Sequence, residues 1–484
     1  MTTPEIDYSR KWFVMAAVGM STFLETIESS SINLALPTLV RTFNVDFAMV
    51  QWVVLASVLT QSALMLVMGR LGDTMGKKRI FVTGFAVAGI GAVLSGLAPN
   101  IGWLIAFRVV QATGLAMAMA LTLGIATEAF PPNERGKALG TVGAIVSVGI
   151  IIGPLLGGYI LDYLSWRWLF FVNLPIALLG IPIALAYLPD TRPGGRQPFD
   201  YVGSALFFVA FFALLLATTY GQRDGYGQPL VLALLAAAGV LGVAFLLVER
   251  RHSHPVVDLK LFRIRAFSVN ISLRFISFIV YVGISLLLPF YMENVLGYEP
   301  RQVGVVLTAL PIFFGLTAPF AGSLADRFGT RPLALAGLLF FLVGCITLST
   351  LNEETTPLGL ILRMIPLGAG LGVFQSPNNS VIMGVAPADR LGMASSLLSV
   401  VRTIGRSTGI AIIGAFWVSR VLVYAGAGFV DATAAPAAAQ VIGTRQAFWL
   451  AGAFIVLALA LTGWDWLRER QEAQSQRLVS EGGG

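Results

Sequence analysis

A chain of 484 residues that is 56% hydrophobic and 12% charged, with mean hydropathy +0.80, carries more apolar side chain than a soluble core of that length can enclose. This excludes a soluble globular enzyme and a disordered chain, and the net charge of +7 has to be read in a membrane context rather than as a nucleic-acid footprint. Crossing about 30 Å of hydrocarbon takes roughly 20 apolar residues per helix. Only helices or closed barrels satisfy their backbone groups there, and the apolar runs of this chain are too long for barrel strands.

Fourteen spans are predicted in chain order. The first, Trp12 to Leu36, follows a polar lead holding Arg10 and Lys11 and is not followed by a small-residue cleavage site, so it reads as a membrane helix rather than a removed signal. It carries Glu25 and Glu28. Spans Ala48 to Met68 and Ile80 to Leu97 flank the hairpin GRLGDTMGKKR, Gly69 to Arg79. Trp103 to Ala129 carries Arg108, Leu139 to Ile160 carries GIIIGPLLGG (Gly149 to Gly158), and Trp168 to Leu188 completes six. Spans Val202 to Thr219 and Leu230 to Val248 lie between basic linkers 189–199 and 249–266, the second holding both histidines, His252 and His254, as solvated loop residues. Phe267 to Tyr291 carries Arg274 and Tyr281. Val303 to Ala321 and Leu333 to Thr350 flank a weaker hairpin copy, GSLADRFGTR, Gly322 to Arg331. Leu358 to Val385 carries Arg363 and GVFQSPNNS, Met393 to Val418 carries Arg402 and Arg406, and Ala447 to Trp466 is the last. The segment Ser419 to Gln446 between them reads as a long outward linker or lid. Lone Cys345 lies within a span and forms no internal disulfide.

Loops on the side of both termini hold 21 basic residues, against six on the other side (Arg41, Arg167, Arg223, Arg301, Arg420 and Arg445), which places both termini in the cytoplasm of a cell with a plasma or bacterial inner membrane. Asp73 and Arg108 are 35 positions apart, Asp326 and Arg363 37. The halves are therefore parallel repeats, and the expected architecture is all-α: a six-helix bundle over 1–188, two inserted helices with their linkers over 189–266, and a six-helix bundle with a tail over 267–484. Parallel halves with a binding site between them near midplane are a known transporter plan.

A charge in hydrocarbon costs roughly 2.5 to 3.5 kcal/mol. Glu25, Glu28, Arg108, Arg274, Arg363, Arg402 and Arg406 facing lipid would together cost on the order of 20 kcal/mol, so they are expected to face the interior. Glu25 and Glu28 are three apart on one face. Two nearby carboxylates in a low dielectric cannot both ionise easily and titrate as a pair, which suits proton carriage; pairing with an arginine to hold the bundle is the plainer alternative. Arg108, Arg363 and the i, i+4 pair Arg402 and Arg406 favour substrates with anionic or hydrogen-bond-accepting groups. Arg274 and Tyr281, two turns apart, are expected to face the cavity, while Gln375, Asn378 and Asn379 either line it or bridge helices. Gly149, Gly153 and Gly157 form a smooth ridge on a helix bent at Pro154, which suits either a moving seal or tight packing.

GRLGDTMGKKR resembles the signature loop of the major facilitator superfamily, FRVVQATG (Phe107 to Gly114) its fourth-helix arginine motif, and GIIIGPLLGG its fifth-helix antiporter motif. IESSSINLALP (Ile27 to Pro37) and WRWLFFVNLP (Trp166 to Pro175) are similar to motifs of its fourteen-helix drug:proton antiporter branch. The resemblance implies that Gly69, Asp73, Gly76, Lys77 and Arg79 form a cytoplasmic gate, that Asp326 and Arg327 form a weaker one, that Arg108 assists proton transfer, and that the ridge with Pro154 biases the protein toward export. Glu28 stands where the branch usually has aspartate. Ser57, Ser30, Ser31, Ala112 and Arg406 depart from its usual residues at cavity level.

The expected function is a proton-coupled exporter of small amphiphilic or drug-like molecules, working by alternating access with protons as coupling ion and no other cofactor or metal. A flippase for a lipid or lipid precursor and a uniporter or importer of the same fold are the alternatives. A membrane enzyme or scaffold lacks a nucleophile and base pair, a metal cluster or a phosphate loop.

Overall fold

The computed structural model describes residues 8–131, 134–189, 200–225, 227–251, 260–387, 391–426 and 428–481. The linker stretches 190–199 and 252–259, with His252 and His254, and the side chains of Asp73 and Asp326 lie outside the described residues. All long elements are helices: α1 (Lys11–Phe43), α2 (Trp52–Met75), α3 (Lys77–Gly96), α4 (Ile101–Ala129), α5 (Arg135–Tyr163), α6 (Asn173–Tyr187), α7 (Tyr201–Asp224), α8 (Pro229–Arg251), α9 (Arg265–Phe290), α10 (Pro300–Leu307), α11 (Ala309–Phe328), α12 (Thr330–Leu348), α13 (Pro357–Val385), α14 (Leu391–Ala425) and α15 (Ala437–Glu481). Among the described residues, twelve helical stretches are long and apolar enough to cross a membrane. Neither α1 nor α2 is among them. Glu25, Glu28 and the run Ser29 to Ser31 dilute the apolar character of α1, and the described side chains at the start of α2, with the short helix before it, form the shorter apolar stretch Phe47–Ser62.

Several helices outrun the apolar spans, because hydropathy marks the hydrocarbon and not the helix end. The long loop expected over 419–446 is mostly helix: α14 continues to Ala425 and α15 begins at Ala437, leaving only 426–436 between them.

Two units divide the chain by their internal packing. The first comprises residues 1–256, 288–308 and 429–435. Here α1 lies between α5, α6 and α4, and the core holds Val18, Leu24, Phe81, Phe85, Leu121 and Phe130. Helix α7 packs on α2, whereas α8 packs on α7 and is otherwise largely exposed. The second unit comprises 257–287, 309–428 and 436–484, where α13 packs on α11 and α12, and α15 on α12 and α14.

The duplication extends to helix packing. Gly76, with φ 98°, turns the chain between α2 and α3, and Gly329, with φ 86°, does so between α11 and α12. That left-handed region strains any residue with a Cβ. Gly84 lets α3 meet α4 so closely that a methyl group there would sit 2.8 Å from the Gly114 carbonyl oxygen. Its counterpart Gly337, like Gly329 displaced by 253 positions, would put one 2.7 Å from the Phe374 Cα on α13.

Candidate functional site

In the first unit α1, α2, α3 and α4 converge on one buried ionic network. Glu28, 4% exposed on α1, accepts from Arg108 Nη1 through Oε1 and from Gln111 Nε2 through Oε2 at 2.6 Å. Arg108, 2% exposed on α4, also donates from Nη1 to Gln111 Oε1 at 3.0 Å and from Nε to the Val53 carbonyl of α2 at 3.2 Å. Ser95 of α3 donates to Gln111 at 3.4 Å, and the Phe170 ring lies 5.7 Å from the guanidinium carbon. Both carboxylate oxygens are thus occupied, the condition under which a buried ion pair repays its desolvation. Glu25, one turn earlier, is half-buried and has no hydrogen bond or ion pair among the described residues. The two acids expected to act alike therefore sit differently, Glu28 in the arginine-paired arrangement and Glu25 outside it.

The glycine ridge of α5 faces this same helix α1. A Cβ at Gly149 would lie 2.8 Å from the Thr26 Cβ, at Gly153 2.9 Å from the Ser30 Cβ, and at Gly157 3.0 Å from the Ser31 Cβ. Ser30 also donates to the Gly149 carbonyl at 3.4 Å. Beyond the ridge, Gly158 approaches α10, where a Cβ would be 2.7 Å from the Pro300 carbonyl oxygen.

Around α9, α13 and α14 the second unit gathers cations without an acidic partner among the described residues. Arg274 on α9 donates to Asn379 Oδ1 and, from Nε at 3.2 Å, to the Leu398 carbonyl of α14, with the Phe278 ring 5.3 Å away. Arg402 on α14 is close enough to repel it, and Arg402 Nε is buried with no partner. Neither guanidinium has a salt bridge among the described residues. Tyr281 bonds Ser285 and lies near Arg406. Gln375 is half-buried, whereas Asn378 bridges α13 to α9, donating to the carbonyl and side chain of Asn270 at 3.0 Å each.

Arg363 is placed away from these groups. It sits seven residues after the α13 N-cap Thr356 and donates from Nε to Thr350 Oγ1 at 3.0 Å and from Nη1 to its own helix at Gly359 O, 2.9 Å. Its long side chain folds back toward the N-terminal end of α13.

At the basic-rich end, Lys77 pairs with Glu128 of α4 and Lys11 with Glu134 at 2.5 Å. Gly69 stands in open space, and Arg79 and Arg327 are exposed. In the second unit Asp465 of α15, 4% exposed, accepts from Arg265 at 2.9 Å and Arg331 at 3.4 Å, and Arg331 also pairs with Glu469. At the opposite end of the first unit, half-exposed Arg41 pairs with buried Glu293, whose other oxygen has no partner, in the π-helical turn Tyr291–Val295 after Pro289. Gln111, Glu293, Glu128 and Asp465 are not singled out by sequence, whereas Asn379 is. Glu128 and Asp465 had a usable signal, a charge inside an apolar span; Gln111 had only its place one turn after Arg108.

A buried ion pair inside bilayer-length helices, in a chain whose two halves repeat the same hairpin and helix packing, marks a multi-pass membrane transporter. The chain belongs to the Major Facilitator Superfamily, whose description matches residues 18–273 and 271–481. It is 32% identical to the riboflavin transporter RibZ of Clostridioides difficile over 94% of this chain and 97% of that one. It is 30% identical to the puromycin resistance protein pur8 of Streptomyces alboniger over 96% and 93%, and 32% identical to the multidrug resistance protein Stp of Mycobacterium tuberculosis over 84% and 76%. Among solved structures, a bacterial homologue of the human lysosomal transporter Spinster, inward-facing and unoccupied, shares the fold with a TM-score of 0.66 at 19% identity, covering 96% of this chain and 97% of that chain.

Proposed function

We propose that this transporter is a proton-coupled exporter of small amphiphilic molecules bearing an anionic or hydrogen-bond-accepting group. One observation carries the reading: a single carboxylate, Glu28, is held inside the first unit by Arg108 and Gln111. Protonating Glu28 removes the charge that Arg108 is paired with. The pair then loses its attraction while the desolvation of Arg108 persists, so proton binding and a rearrangement of α1 and α4 become coupled. Glu25, one turn away and half-buried, is the group through which a proton reaches Glu28.

Substrate preference rests on the second unit, where Arg402 Nε lacks an acceptor and Arg274 lacks a counter-charge. A buried cation without a partner is costly, and a bound acceptor supplies what is missing. Relatives named for puromycin, tetracenomycin C and multidrug resistance support export of small molecules, and the riboflavin transporter widens the class beyond toxic compounds. The reading includes fourteen spans, with α1 and α2 joining the twelve apolar stretches, and both termini in the cytoplasm.

A screen of toxic compounds and vitamins against a strain lacking the protein identifies the solute, and proteoliposomes then test coupling. An imposed pH step is expected to drive solute-dependent proton flux in wild type and none in Glu28→Gln. Absence of such flux in wild type, with solute transport intact, defeats the proposal.

A further inference from the structure

A crevice of about 440 Å³ opens in the first unit between α2, α4 and α7. Its walls are apolar, with Met49, Trp52, Leu59, Val109, Phe212 and Leu216 among them. Trp52 and Phe212 meet edge to face, ring centroids 6.0 Å apart, across the seam between α2 and α7. From Phe208 to Tyr220 the α7 wall runs about 18 Å at 1.5 Å per residue, close to half the bilayer thickness. The crevice thus runs from headgroup depth to about midplane, on the side the charge count assigns to the outside.

Its mouth is chemically different from its walls. Asp46 caps the short helix Phe47–Val50, Oδ1 accepting from the Met49 N–H at 2.7 Å. The other oxygen of Asp46, and the Tyr220 hydroxyl, have no hydrogen-bond partner among the described residues. A carboxylate and a phenol at the rim of an apolar slot match one ligand chemistry, a hydrocarbon chain below a head that donates N–H bonds and carries positive charge.

We propose that this crevice holds one acyl chain of a phospholipid whose ammonium head, as in phosphatidylethanolamine, is bound by Asp46 and Tyr220. Three observations carry it. An apolar slot of this size, left empty, forfeits the dispersion contacts of its whole lining, and water gains nothing there. The slot lies at the seam of the inserted helices, whose attachment is thin: α8 packs on α7, and α7 reaches the bundle over α2 and Phe47–Val50. Asp46 gives the rim a negative charge, which selects an ammonium head over an anionic one. The lipid completes the seam, and the inserted pair is held by the membrane as much as by the protein.

Native mass spectrometry of the full chain, purified from membranes containing phosphatidylethanolamine and phosphatidylglycerol, tests this. Wild type is expected to retain one phosphatidylethanolamine, enriched several-fold over its share of the bilayer. Asp46→Asn is expected to lose the enrichment while still retaining lipid, and Leu216→Trp, which fills the slot, to lose retention. Hydrogen exchange of wild type in liposomes provides a second reading that needs no variant: α7 is expected to be at least three-fold better protected when phosphatidylethanolamine is present than in phosphatidylglycerol alone. Equal retention of both lipids by wild type, undiminished enrichment in Asp46→Asn, retention of a transported solute instead of lipid, or protection of α7 indifferent to the headgroup would each overturn the proposal.

Discussion

Glu28, buried and fully paired, and Arg402, half-buried with a buried Nε lacking an acceptor, are opposite cases, and their replacements should behave in opposite ways. Glu28 has both oxygens satisfied. Glu28→Ala strands Arg108 in the interior with only Gln111 and a carbonyl, and removing one partner of such a pair costs about 3 to 5 kcal/mol. A marked fall in the thermal unfolding midpoint is the expected result, with Glu28→Gln, which still offers an acceptor, milder in stability but uncoupled from protons. Arg402 has a buried Nε with no partner, so Arg402→Gln should leave the unfolding midpoint unchanged or higher while raising the solute KM at least ten-fold; a lower midpoint with unchanged KM would mean that the residue is structural. The sequence made Glu28, Arg108 and Arg274 legible because ionised groups are scarce in hydrocarbon and stand out against apolar neighbours. Gln111 was not, nor was the pairing of Asn379 with Arg274, since a neutral amide on a helix says nothing about whom it bonds until the facing helix is placed. Arg363, expected to face the interior because a charge in hydrocarbon is costly, reaches back to its own helix near the N-terminal end of α13.

At the level of helices, the contact between α5 and α1 is set by side chains that are missing on one and short on the other. Gly153→Ala would drive a methyl into Ser30 and toward the Ile27 carbonyl, 3.0 Å away. Overpacking of this kind typically costs about 1 to 3 kcal/mol. Transport is expected to fall at least ten-fold, with partial recovery in Gly153→Ala combined with Ser30→Gly; recovery of stability without recovery of transport would show that the ridge does more than pack. The ridge was legible from the i+4 glycine spacing, and the repeat from hairpin spacing. The partner of the ridge was not, because Ser30 and Ser31 read as polar residues of α1 rather than as the surface that glycine was kept for. Helix lengths are underestimated at α14 and α15 for a different reason: Ser419 and Arg420, and Thr444 to Gln446, interrupt the apolar runs while the helices continue through them.

On the scale of the whole molecule, the arrangement across the membrane is open to a clean test because the only cysteine, Cys345, is buried. In a Cys345→Ser background, Pro99→Cys between α3 and α4 should react with a membrane-impermeant maleimide in intact cells, and Lys78→Cys only after permeabilisation. The reverse pattern would invert the topology drawn from 21 basic residues against six. The charge ledger of the two units adds a last consequence. Arg108 is neutralised by Glu28, while Arg274 and Arg402 have no acidic partner, so the vacant carrier holds fixed positive charge inside the electric field of the bilayer. Moving one elementary charge through 100 mV is worth about 2.3 kcal/mol, enough to make the return of the vacant carrier electrogenic. Solid-supported membranes should record a capacitive current from the unloaded protein that shrinks as an anionic cargo saturates it, which would make voltage a source of drive in its own right.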